Sequence, residues 1–163
     1  MILIALAMAL DPLAPLPPPY AAFLPTVPGA INPAVTQANI HQTICSKAKD
    51  MHGHTWVHNQ RPPVAYTNKI KFALMDAAGI PRAKAGLFEL DHETSIEDGG
   101  SPDDPANLWL QPYAGQWGAR IKDRIETKLA HLICAGTIPL AQAQHELQFD
   151  WIESYSSRIG RLP

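Results

Sequence analysis

Residues 87–111 constrain the fold more than any other stretch of the chain. They read Leu-Phe-Glu-Leu-Asp-His-Glu-Thr-Ser-Ile-Glu-Asp-Gly-Gly, then Ser-Pro-Asp-Asp-Pro-Ala-Asn-Leu-Trp-Leu-Gln. Leu87, Phe88 and Leu90 make a short apolar strand that ends on Asp91-His92. The chain then turns through Gly99-Gly100, and residues 94–96 can return beside the first strand. A helix follows over 117–134, because Trp117, Ile121, Ile125, Leu129, Leu132 and Ile133 recur on one side at helical spacing. Gly136 ends it. Strand, Asp-His, Gly-rich turn, Asn107 and helix make a compact hairpin-and-helix unit, and the remaining chain reads as its support.

Before that unit, Pro12, Pro15, Pro17, Pro18, Pro19, Pro25, Pro28 and Pro33 forbid helix and favour an extended strap. A short helix is expected over 36–44, with Thr36 as N-cap and Ile40 and Ile44 on one face. His41 there is expected to face solvent. Residues 46–60 lack a period and read as a loop holding His52, His54 and His58, a trio without the spacing of a clear metal site. Arg61-Pro62-Pro63 is a rigid turn that puts a cation where a phosphate could meet it. A helix over 66–78 follows, with Ile70, Leu74, Ala77 and Ala78 inward and Gly79 as its stop. After Gly136, Pro139 opens a last helix on which Leu140, Ala143, Leu147, Trp151 and Tyr155 pack. The expected architecture is α+β and mainly helical. Residues 1–33 form an apolar and proline-rich N-terminal segment, and residues 34–163 form one domain, a size that 163 residues allow.

A net charge of -2 conceals an uneven distribution. Residues 47–84 carry seven Lys and Arg against Asp50 and Asp76, whereas residues 89–104 carry seven carboxylates and no Lys or Arg. Adjacent segments of opposite sign suit a protein that holds an anion beside a cation, or simply two solvated faces. Cys45 and Cys134 allow one internal pairing, and neither belongs to a Cys-x-x-Cys motif. A bridge between them would stabilise the chain by about 4 kcal/mol in the loop-entropy model; in a reducing compartment both would be buried thiols. Residues 1–10 are apolar but too few to span a bilayer. They resemble the apolar core of a signal peptide, although no Lys or Arg precedes Lys47. The expectation is an exported protein, secreted or periplasmic, with the run read either as a leader remnant or as an apolar tail.

Hydrolysis of a phosphodiester needs a water made nucleophilic and positive charge at the leaving oxygen. A neutral His can be the base and a divalent metal the Lewis acid. Asp91 and His92 are neighbours on a strand, so one side chain can reach a metal while the other reaches the water. The pattern running through Glu89-Leu90-Asp91-His92, Gly99-Gly100, Asp104-Pro105, Asn107-Leu108-Trp109, Gln111-Pro112 and Lys122-Asp123 with Glu126 is far more specific than Asp-His alone. Together with Asn32-Pro33, Val35-Thr36-Gln37, Thr43-Ile44-Cys45, Arg61-Pro62-Pro63 and Cys134, it resembles HNH nucleases of the ββα-metal fold. More narrowly, it resembles a group of small bacterial, often exported, HNH-like proteins, over roughly residues 32–155.

That resemblance implies His92 as general base, Asp91 as metal ligand, and Asn107 as the residue that orients the His strand. It also implies a Cys45–Cys134 disulfide, a divalent metal (Mg2+ or Mn2+, with Zn2+ as the other option), and nucleic acid as substrate, DNA rather than RNA. In that group the helix is expected to open with a polar residue near position 118, often Asn followed by a nearby His; this chain has Gly118 and Arg120. Glu126 and Asp123 are the further candidate ligands, and Arg61, Lys122 and Arg120 the candidate substrate contacts. Positions 118, 122 and 126 share a stripe, so Lys122 and Glu126 could also form a surface ion pair worth tenths of a kcal/mol. Two functions are therefore expected: a metal-dependent endonuclease of little sequence preference, or an HNH-like scaffold that binds nucleic acid or a protein without cleaving. A Ser-His-Asp hydrolase is disfavoured by the lack of a nucleophile-elbow signature.

Overall fold

The computed structural model describes residues 28–161, so the leader-like run and most of the proline-rich segment lie outside the described residues. The described residues form five α-helices and one hairpin: α1 (Trp56–Gln60), α2 (Val64–Ala77), β1 (Phe88–His92), β2 (Leu108–Pro112), α3 (Ala119–Cys134), α4 (Leu140–Phe149) and α5 (Trp151–Arg158). The architecture is α+β, with a two-stranded antiparallel sheet. Among the described residues no helix is long and apolar enough to cross a membrane.

Alternation along the strands gives the hairpin two unlike faces. Phe88 and Leu110 join Met75 and Ile80 in a small apolar core beneath α2. The opposite face, with Glu89 and Asp91 on β1 and Gln111 on β2, turns toward α3, where Asp91 meets Lys122 and Gln111 donates to the carbonyl of Trp117. The larger core gathers Ile125, Leu129 and Ile133 of α3 with Leu140, Ala143, Leu147, Trp151 and Tyr155, and with Val35, Ile40 and Ile44 from the N-terminal side. A disulfide joins Cys45 to Cys134, the last residue of α3, with Cα atoms 5.4 Å apart.

Several expected elements are placed differently. The strand pairing with β1 is Leu108–Pro112, in the register Asp91↔Trp109 and His92↔Leu108, and residues 94–96 do not return beside it. Ser95 instead caps a 3-10 turn, Ile96–Asp98, its hydroxyl accepting from the Asp98 N–H. The hairpin connection is thus long, and it is folded upon itself. The expected 36–44 helix is a single 3-10 turn, Ile40–Gln42, because Asn39 rather than Thr36 organises the local backbone: its side chain accepts from Thr36 N and donates to Ala34 O. Ile40 and Ile44 are buried all the same, and His41 is exposed.

Helix α1 occupies part of the expected 46–60 loop, started by Thr55, whose hydroxyl accepts from His58 N. Helix α2 begins at Val64, two residues before the expected start, with Pro63 at its N-cap, and Met75 is its one buried residue, while Ala77 is exposed. The last helix is two, broken at Asp150, although all five residues expected to pack there are buried.

Gly118 has a packing reason. It is the N-cap of α3, and a Cβ there would lie 2.4 Å from the carbonyl oxygen of Tyr113. The helix starts so close behind β2 that position 118 admits no side chain.

Candidate active site

A cavity of about 290 Å³ opens between the end of β1, the 3-10 turn Ile96–Asp98 and α3. Its walls include Glu89, Asp91, His92, Glu97, Asp123 and Glu126, with Arg61 at the C-cap of α1. Of the residues expected at a site, the fold thus brings Arg61, Asp91, His92, Asp123 and Glu126 to one concavity. Glu89, Ser95 and Glu97 share it and were not anticipated. Glu89 was accessible from the pattern alone, because it stands two residues before Asp91 and so on the same strand face.

His92 holds the last position of β1, and its Nε2 lies 2.9 Å from the carbonyl oxygen of Pro102. A carbonyl only accepts, so Nε2 carries the hydrogen and Nδ1 keeps its lone pair. Burial holds the imidazole below its ordinary pKa, against the opposing pull of the Pro102 carbonyl and Asp91; Lys122 and Arg61 add to the lowering. The ring is accordingly neutral at neutral pH, the state a general base requires.

Asp91 accepts from the His92 N–H at 2.8 Å through Oδ1 and from Lys122 Nζ at 3.1 Å through Oδ2. Lys122 is fully enclosed. Its ammonium donates to Asp91, to the carbonyl oxygen of His92 at 2.6 Å, and to Glu126. A lysine has three N–H donors, and all three are engaged. Burial alone would lower its pKa, but the two carboxylates outweigh it and hold the ammonium charged. Lys122 therefore lies inside the protein rather than on the helix surface, and none of its hydrogens remains for a substrate. It ties the Asp-His end of β1 to α3. Arg120 is exposed and outside the cavity wall.

Asn107 is wholly buried beneath the hairpin connection. Its Oδ1 accepts from Thr94 N at 2.9 Å, and its Nδ2 donates to Thr94 O at 2.9 Å and Ser101 O at 2.7 Å. Its own carbonyl accepts from Glu93 N. One side chain thus anchors the chain two residues beyond His92 to the start of β2. Gly100 completes the knot, since a Cβ there would lie 1.8 Å from Thr94 O.

The remaining carboxylates are crowded. Glu89 is pushed above its ordinary pKa by burial and by Asp91 and Asp123, and Asp123 by burial and Asp91. Burial likewise raises Glu126, with Lys122 pulling the other way. Like charges around a cavity are relieved by a bound cation. The donor set is all oxygen, which fits a hard ion such as Mg2+ or Mn2+ better than Zn2+. Among the described residues no three His, Cys, Asp or Glu side chains converge into a ready coordination cage.

Elsewhere the expectations separate. The rings of His54 and His58 lie against each other, tilted by 37° with centroids 3.8 Å apart, but the histidine trio does not converge on a common point. Within the basic segment, Arg82 pairs with Asp76 and Lys71 donates to the carbonyl of Phe88, and Arg61 is the cation that reaches the cavity wall. No protein-family model matches the chain, and neither curated proteins nor solved structures match it.

Proposed function

We propose that the cavity is the active site of a metal-dependent endonuclease that hydrolyses phosphodiester bonds in DNA, with β1, β2 and α3 as a ββα-metal unit. The observation that carries this reading is His92, whose Nε2 meets the Pro102 carbonyl and whose Nδ1 has no hydrogen-bond partner among the described residues, set in a wall of carboxylates with Arg61 beside it. In this reading Arg61 holds a non-bridging phosphate oxygen. His92 Nδ1 takes a proton from a water as that water's oxygen bonds to phosphorus. The bond from phosphorus to the departing oxygen breaks, and that oxygen leaves as an alcohol after gaining a proton from solvent. A pair of wall carboxylates, drawn from Asp91, Glu126, Asp123 and Glu89, would hold a divalent cation, which would supply positive charge at the departing oxygen. The Pro102 carbonyl and Asn107 keep the imidazole and its loop in place.

A second reading has one observation in its favour. The Lys122 ammonium already neutralises Asp91 and Glu126 from inside, which suits a scaffold that binds nucleic acid or a protein partner without metal chemistry. Calorimetric titration of the folded protein with Mn2+ separates the two. The nuclease reading predicts saturable binding that Asp123→Asn weakens several-fold. Absence of binding heat would leave the scaffold reading alone.

A further inference from the structure

The outward side of α3 carries a row of cations that the cavity chemistry does not use. Arg120, Arg124 and Lys128 recur at steps of four, His131 extends the row, and all four are exposed. None forms a salt bridge among the described residues; Arg124 lies over the Tyr155 ring, 5.3 Å from its centroid. Arg124, Lys128 and His131 border a shallow second concavity that also takes in Asp123 and Thr127. Those last two residues line the acidic cavity as well. The two concavities therefore share one edge of α3, and the row runs along it beside the cavity wall.

We infer that this row is a docking track for the phosphate backbone of duplex DNA, leading one strand across the cavity toward Arg61 on its other side. The inference rests on the nuclease reading of that cavity. Arg120 to Lys128 spans about 12 Å at 1.5 Å per residue. That length corresponds to roughly three to four phosphates of one strand, at about 3.4 Å of duplex axis each. The row offers point charges and the Thr127 hydroxyl but no aromatic ring. Single strands are held through bases stacked on aromatic platforms, whereas a row of bare cations suits a duplex, whose bases are already stacked. Contacts of this kind carry no sequence information, so the track would bind any duplex.

The test is the salt dependence of binding, read by fluorescence anisotropy of a short labelled duplex in EDTA from about 50 to about 200 mM salt. For Arg124→Gln/Lys128→Gln, the slope of log K against log salt should flatten by about 1.8, since each lost phosphate contact removes about 0.9. The charge-preserving Arg124→Lys/Lys128→Arg should keep the slope, which separates lost charge from lost packing on Tyr155. An unchanged slope in the double Gln variant would overturn the proposal. So would equal affinity for a single strand of the same length, or no duplex binding by the unaltered protein. Because EDTA removes cleavage from the readout, a protein that binds with the full slope yet never nicks DNA would break the nuclease reading and leave the track intact.

Discussion

Helix α3 buries Ile125, Leu129 and Ile133 toward one interior and Lys122 and Glu126 toward another, and the two interiors are held by different physics. The first is apolar and closed by α4, α5 and the disulfide; its stabilisation grows with area and depends little on direction. The second is polar, and in it Lys122 meets its three acceptors while Asn107 makes three hydrogen bonds. Burial of Lys122 and Asn107 is tolerable because their own groups are partnered, while Thr94 Oγ1, Asp98 Oδ1 and Gln111 Oε1 nearby have no partner among the described residues. The apolar side should yield gradually to substitution, and the polar side abruptly. The polar side is also the one that places His92.

The largest expected effect comes from Lys122→Met, which keeps much of the side-chain volume and strips two buried carboxylates of their cation. It should cost about 3–5 kcal/mol in urea denaturation, whereas Ile133→Val in the apolar interior should cost about 1 kcal/mol. The comparison fails if the two costs are alike. Next, Asn107→Ala removes one side chain's hydrogen bonds to the Thr94 N–H and to two carbonyls, at about 1 kcal/mol net for each bond. The connection from Glu93 to Ser101 should then lose amide protection in hydrogen exchange while α3 keeps its own. Loss of protection spread evenly over both would contradict the division.

The third effect is graded with pH and concerns Asp98, buried in the same connection with one oxygen unpartnered among the described residues and its pKa pushed up to about 8 by burial, against the Ser95 hydrogen bond. Its folded pKa exceeds its unfolded one, so the folded state binds the proton more tightly. Stability falls as pH rises from about 4 to about 8, by up to about 1.4 kcal/mol per unit. Asp98→Asn should remove that slope, so the gap in melting temperature between variant and parent should widen between pH 5 and pH 8. A constant gap would show that Asp98 is ionised throughout.

The same division explains what the sequence made legible. Periodicity located α3 and both halves of the C-terminal pair, because Ile125, Leu129, Ile133, Ala143, Leu147 and Tyr155 report burial through spacing alone. It missed the break at Asp150, which interrupts the helix without interrupting the buried face. The hairpin partner was misplaced because Thr94 and Ser95 look like a strand start, while their real engagements, with Asn107 and Asp98, are specific side-chain bonds that no period encodes. Lys122 on an otherwise amphipathic helix reads as solvent-facing. Only the facing Asp91 and the His92 carbonyl turn it inward, and that depends on tertiary placement. Gly118 reads as a missing polar group and is a point of close backbone approach to Tyr113.

The proposed hydrolysis of DNA in the cavity, with His92 as base, is open to direct test. Nicking of supercoiled plasmid tests it most directly, with Mg2+, Mn2+ or EDTA, comparing the parent with His92→Ala shown to be folded. The expected result is metal-dependent nicking that falls at least 100-fold in the variant, within the usual range for losing a general base of about 10²–10⁴. In the parent, the acid limb of the rate should lie below the ordinary imidazole range, because burial lowers His92. Equal nicking by parent and variant, or no nicking with either metal, would contradict it.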